Sequence, residues 1–112
     1  PVPLHPKKMR ERGYNQVTRF GKALSESLKI PYEENVLIRN LYTKTQTKKN
    51  LIGRIELAKN LFDISNDISL NGNHIVIVDD VITTGSTLEK CCSALLKIPN
   101  VKVSVICMAM SQ

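Results

Sequence analysis

The sequence contains no tryptophan, and aromatic residues fill 4% of its 112 positions. Stacking platforms for unpaired bases are therefore scarce, and any polyanion would be met by charge before stacking. Cysteine is also sparse, with Cys91 and Cys92 adjacent and Cys107 near the end. Three such residues make neither a disulfide framework nor a CxxC zinc pattern, so a reducing, cytoplasmic setting is expected. Apolar runs stay far below the ~18 residues that a membrane-spanning helix needs. No opening segment resembles a signal peptide. What remains, 42% hydrophobic and 23% charged, is the composition of a soluble globular domain, and the length suits one domain over residues 1–112. The chain opens Pro1-Val2-Pro3 with no initiator methionine, in a register that reads as the end of a strand. It is expected to be a fragment of a longer protein.

Charge is unevenly placed. Residues 1–60 hold 13 Lys and Arg against 5 Asp and Glu, whereas residues 61–112 hold 3 against 5, giving +8 and −2 and the net +6. A basic half beside a mildly acidic one suits a nucleic acid or a small phosphorylated ligand. The cations cluster as Lys7, Lys8, Arg10 and Arg12, and again as Lys44, Lys48, Lys49 and Arg54. A solvated surface explains any single lysine equally well.

Periodicity predicts a helix over residues 15–29, with Phe20, Leu24 and Leu28 four apart and Pro31 closing it. Val36-Leu37-Ile38 predicts a short strand. Residues 41–50 are polar, basic and aperiodic, which predicts a long loop. A helical pattern resumes from Leu51 to Leu61, and Asn71-Gly72 signals a turn. Ile75 to Val78 is an unbroken β-branched run, as expected of a parallel strand buried on both faces. A helix over 87–97 follows, with Leu88, Cys92 and Leu95 on one side and Ser86 and Glu89 as its capping box. Val101 to Met110 predicts a further strand. Strand, loop, helix and strand make a βαβ unit, so the fold class is α/β with a parallel sheet and helices on its faces.

The chemistry concentrates in I-V-I-V-D-D-V-I-T-T-G-S-T-L, residues 75–88. A buried strand brings Asp79 and Asp80 to the carboxyl end of the sheet, where open α/β folds bind ligands. The loop Thr83-Thr84-Gly85-Ser86-Thr87 then runs into a helix N-terminus, whose unpaired N–H groups and dipole favour an anion. Gly85 permits close backbone approach, and four hydroxyls donate to phosphate oxygens. Two carboxylates beside them accept from sugar hydroxyls or hold a hydrated magnesium ion. Diol and phosphate recognition side by side describe a ribose 5-phosphate. Two rival phosphate sites fail on sequence. No aspartate follows Asp80 to act as a receiver-domain phosphoacceptor, and no lysine follows Gly85 before Lys90 to complete a P-loop.

The block Val76 to Leu88 resembles the 13-residue phosphoribosyl pyrophosphate (PRPP) signature of type I phosphoribosyltransferases. Pro1 to Pro6, Arg10 to Gln16, Lys44 to Thr47, Arg54 and Phe62 narrow the resemblance to the ComF family, phosphoribosyltransferase-like proteins associated with bacterial DNA uptake. The resemblance implies a type I phosphoribosyltransferase-like fold. Asp79 and Asp80 would contact the ribose hydroxyls as the catalytic pair, and Thr83, Thr84, Gly85, Ser86 and Thr87 would hold the 5-phosphate. Leu4, His5, Pro6 and Lys7 would form a pyrophosphate loop at the end of the first strand. Lys44, Lys48, Lys49 and Arg54 would belong to a mobile basic loop that closes over the site, although Leu57, Asn60 and Leu61 depart from the family pattern there. Magnesium would arrive with PRPP, touching Asp79 and Asp80. Members typically carry an upstream cysteine-rich zinc-binding segment. The expected function is transfer of phosphoribosyl to a nitrogenous acceptor that the sequence does not specify. The alternatives are a non-enzymatic competence adaptor binding single-stranded DNA or partner proteins, and a PRPP-sensing regulator. A homodimer is left open. The cysteines read as buried helix and strand residues, not nucleophiles.

Overall fold

A computed structural model describes residues 1–13, 15–40, 61–65 and 69–111. The basic segment with Lys44, Lys48, Lys49 and Arg54, and the helix expected from Leu51, lie outside the described residues. In chain order the elements are α1 (Pro6–Arg12), α2 (Val17–Leu28), β1 (Leu37–Arg39), β2 (Phe62–Ile64), β3 (His74–Ile82), α3 (Ser86–Leu95) and β4 (Lys102–Met110).

The βαβ unit is present as expected. β3 and β4 pair in parallel, from His74 opposite Lys102 to Ile82 opposite Met110, with α3 as the crossover. Consecutive strand residues face opposite sides. Ile77 and Val78 are both buried, at 2% and 7% exposure, so both faces of β3 are covered at its centre. The run of β-branched residues without alternation is the sequence form of that double burial. The turn at Asn71-Gly72 is also as expected: Gly72 takes φ +78°, and Asn73 N–H donates to the Leu70 carbonyl.

A second, antiparallel pair stands apart from this sheet. β1 runs against β2, with Leu37 opposite Ile64 and Arg39 opposite Phe62. One apolar cluster joins the two pairs: Leu37, Phe62, Ile77 and the α3 residues Leu88, Cys91, Ala94 and Leu95. The last four recur at helical spacing, so α3 turns one stripe toward the strands. That stripe centres on Cys91, fully buried, where the expected pattern used Cys92, which is half-buried. Each large apolar side chain withdrawn from water here contributes ~1.5–3 kcal/mol.

α2 differs from its expected face. Val17 and Gly21 are its buried residues, whereas Leu28 is 53% exposed. The reason is Tyr32, whose ring packs directly on Gly21 and occupies the place of any larger side chain. The helix ends before Pro31: Lys29 turns left-handed at φ 57°, and Ile30 N–H donates back to the Ser25 carbonyl.

α1 was not foreseen, since PKKMRER has no apolar stripe. Its signals lie at its ends. His5 caps it by accepting from Lys7 N–H at Nδ1, proline stands in its first turn, and Gly13 terminates it at φ 77°. Pro6 and Lys7, expected in a loop, are therefore the first residues of a helix. No helix among the described residues is long and apolar enough to cross a membrane.

Candidate ribose phosphate site

β3 continues two residues past Asp80, so the paired aspartates stand within the strand near its carboxyl end. The ladder pairs Asp79 with Cys107 and resumes at Val81 opposite Ala109, passing over Asp80. Each carboxylate is tied to the next peptide: Asp80 N–H donates to Asp79 Oδ1 at 2.9 Å, and Val81 N–H to Asp80 Oδ1 at 2.7 Å. One oxygen of each carboxylate is thereby fixed. Asp79 is half-buried, and burial raises its pKa, with the Asp80 charge adding and the bond from Asp80 N–H opposing. Asp79 shares the face of Ile77, which packs in the cluster with the α3 residues, so it stands on the α3 side of the strand. Asp80, one position on, faces the other way.

Thr83, Thr84 and Gly85 link β3 to α3 in one short turn. Gly85 is the N-cap of α3 with φ 81° and ψ 0°, a left-handed conformation that side-chain-bearing residues rarely adopt. Glu89 N–H closes the first turn onto the Gly85 carbonyl at 2.9 Å. Ser86 N–H donates to Thr84 Oγ1 at 3.3 Å. The expected capping box is thus overturned. Ser86 lies inside the helix, and no side chain caps it, because the chain enters α3 through a left-handed glycine. An added Cβ on Gly85 would meet nothing within 4 Å, and Thr83, Thr84 and Ser86 are exposed. The mouth of the turn is open.

The amino-terminal segment lies against this strand. Val2 N–H donates to the Val78 carbonyl at 3.0 Å, one residue before Asp79. Leu4 and His5 follow directly, so the structure brings the start of the expected pyrophosphate loop to the same strand as the aspartates. His5 Nδ1 is engaged in capping α1. Two residues frame this segment: Asn15, from the Arg10 to Gln16 stretch that carries the resemblance, and Arg39, which the sequence reading did not single out. Asn15 Nδ2 donates to the Val2 carbonyl at 3.2 Å, and Arg39 Nε donates to the Pro3 carbonyl at 3.4 Å. Arg39 has no sequence signal beyond following the apolar run Val36 to Ile38.

Two cavities share Pro1 in their lining. One, of about 510 Å³, is lined by α2 and Ile75 to Val78, on the amino-terminal side of the aspartates, and includes no residue of the 83–87 turn. The other, of about 730 Å³, is lined by Pro3, Leu4, Asn15 and Arg39 among others. The turn over residues 83–87 lines neither cavity and lies open at the surface. Cys91 is fully buried, and burial pushes its thiol up to about 12. It is no nucleophile at neutral pH, as the sequence led one to expect.

Residues 18–111 match the model of the phosphoribosyl transferase domain family. The chain belongs to that family. Among curated relatives, it is 38% identical over 101 residues to competence protein F of Haemophilus influenzae, covering 88% of this chain and 43% of that one. It is 34% identical over 107 residues to the DNA utilization protein YhgH of Escherichia coli K12, covering 96% and 46%. It is 37% identical over 97 residues to competence protein ComFC of Bacillus subtilis, covering 87% and 37%. The chain spans less than half the length of these relatives. No solved structure matches it. The βαβ unit that carries Asp79 to Thr87 falls wholly inside the matched region, and the ComF resemblance read from the motifs holds.

Proposed function

We propose that this phosphoribosyl transferase domain binds PRPP at the carboxyl end of β3 and transfers its phosphoribosyl group to a nitrogenous acceptor. The observation that carries the reading is contiguity. Two carboxylates in β3 lead within three residues into a glycine turn that opens a ten-residue helix. A diol binder and an anion binder are thus built into one stretch of backbone.

Chemically, the free carboxylate oxygens of Asp79 and Asp80 accept hydrogen bonds from the ribose hydroxyls on either side of the strand. The backbone N–H groups of the first turn of α3 and the hydroxyls of Thr83, Thr84 and Thr87 take the 5-phosphate. With the sugar held at both ends, the bond from the anomeric carbon to pyrophosphate breaks, and the leaving oxygen keeps the electron pair. The carbon passes through an oxocarbenium-like state and bonds to the acceptor nitrogen, whose proton passes to water. The half-buried carboxylate of Asp79 stabilises developing positive charge on the sugar.

The donor set suits magnesium as a companion of the ligand. Among the described residues no cluster of three metal-ligating side chains exists, and magnesium characteristically takes one or two carboxylates together with substrate phosphates and water. Asp79 and Asp80 would hold it, and it would neutralise charge on the departing pyrophosphate.

The names of the relatives support a role in DNA uptake or use. A second reading draws on α1, where Lys7, Arg10 and Arg12 are exposed: a scaffold that holds single-stranded DNA or a partner protein. Steep weakening of DNA binding with salt would mark that reading. The primary test is a thermal-shift titration of the full-length protein with PRPP and magnesium. Ligand at about 100 times its dissociation constant adds ~2.7 kcal/mol of stability. The Asp79→Asn, Asp80→Asn double variant should fold and lose this shift. A shift retained in the variant would remove the aspartates from the site.

A further inference from the structure

Arg39 ends β1 and is held from two directions. Its register partner Phe62 presents a ring whose centroid lies 4.9 Å from the guanidinium carbon, and Nε donates to the Pro3 carbonyl at 3.4 Å. Among the described residues no carboxylate pairs with it. A planar guanidinium stacked on a ring has its N–H directions fixed, so what it bonds is fixed in turn.

What it bonds is the peptide between Pro3 and Leu4. No peptide bond among the described residues is cis. In a planar trans peptide the carbonyl and the following N–H point in opposite directions. With the Pro3 carbonyl drawn to Arg39, the Leu4 N–H leaves on the other edge, and among the described residues no acceptor takes it. Asn15 treats the preceding carbonyl similarly, binding Val2. Two carbonyls that would repel an anion are thus turned to side-chain donors just before Leu4 and His5. Phe62, over whose ring the guanidinium lies, packs in the cluster with Ile77, on the face of β3 that Asp79 shares.

We infer that Arg39 is a positioning residue for a diphosphate group: by fixing the Pro3–Leu4 peptide plane, it presents the Leu4 N–H to the pyrophosphate of the ligand. The inference rests on the ribose phosphate reading above. It assigns pyrophosphate recognition to a residue outside both the 83–87 turn and the Leu4–Lys7 segment.

The test separates the two halves of the ligand. The full-length protein, native and Arg39→Gln, is titrated calorimetrically with inorganic pyrophosphate and, separately, with ribose 5-phosphate, both with magnesium. The expected result is about a tenfold loss for pyrophosphate and no more than about a twofold change for ribose 5-phosphate. Equal losses for both ligands, or no loss for pyrophosphate, overturn the inference. Failure of the native protein to bind ribose 5-phosphate would instead overturn the site reading itself. Arg39→Lys keeps the charge and loses the planar stack and the Nε bond, so it should lose pyrophosphate affinity with Gln and shift the Leu4 amide resonance. Native affinity in the lysine variant would show that charge alone acts, and would overturn the positioning role.

Discussion

Replacement of Gly85 tests whether the turn after β3 has the conformation on which anion binding depends. Gly85 holds φ 81° and ψ 0°, and an L-residue in the left-handed region pays ~1–2 kcal/mol. Because an added Cβ meets no heavy atom within 4 Å, crowding adds nothing, and Gly85→Ala should cost ~1–2 kcal/mol from the backbone alone. In a domain of about this size that lowers Tm by roughly 4–10 °C. Asparagine tolerates the left-handed region, so Gly85→Asn should cost less, and β-branched Gly85→Val more. Urea melts read the same order as shifts in midpoint at constant slope. The added carbons project into the open mouth of the turn, so PRPP binding should fall further than stability does, with Val worst. An alanine variant as stable as the native chain would refute the left-handed turn.

Other consequences are open to direct measurement. Leu95 is 1% exposed in the cluster with Ile77, so Leu95→Ala should cost ~2–5 kcal/mol in urea melts; a loss below ~1 kcal/mol would misplace α3. Burial raises the Asp79 pKa above its ordinary 3.8, so the folded state holds that proton more tightly than the unfolded chain. Stability from this group is then present below 3.8 and is lost as pH climbs through the raised value. Asp79→Asn should flatten that part of the stability profile, and an unchanged slope in melts from acid to neutral pH would contradict the burial. Cys91 has no exposed surface and a thiol pushed up to about 12. Cys91→Ser should therefore leave the number of thiols that a maleimide labels in the native protein unchanged, and a loss of one fast-reacting thiol would place Cys91 at the surface.

Much of the site half of the fold was legible because double burial leaves a plain trace. Ile75 to Val78 reads as a strand covered on both faces, and the turn, α3 and β4 follow from the residues after it. Asp79 to Thr87 was readable as one site because strand, turn and helix are contiguous. The capping of α3 was misread: S-x-x-E fits a serine cap, and only the backbone shows that Gly85 enters the helix left-handed. α1 has charged residues where an apolar stripe would be, so periodicity had nothing to detect, although proline at its start and Gly13 at its end were the available signals. β2 has three residues, too few for alternation to register. The buried face of α2 is set by Tyr32 packing on Gly21, a contact between residues eleven apart. Arg39 was invisible for a similar reason. Its role depends on Pro3, thirty-six residues away, and on a ring supplied by β2.

In the proposed function, the turn between β3 and α3 grips the phosphate of a ribose 5-phosphate while Asp79 and Asp80 hold its sugar. The most direct test follows the backbone amide resonances of the full-length protein as ribose 5-phosphate is added. Saturable shifts are expected at Gly85, Ser86 and Thr87, with smaller ones at Asp79 and Asp80. All should be lost in the Asp79→Asn, Asp80→Asn double variant. Saturable shifts confined to other parts of the chain, or none from a folded protein, would contradict it.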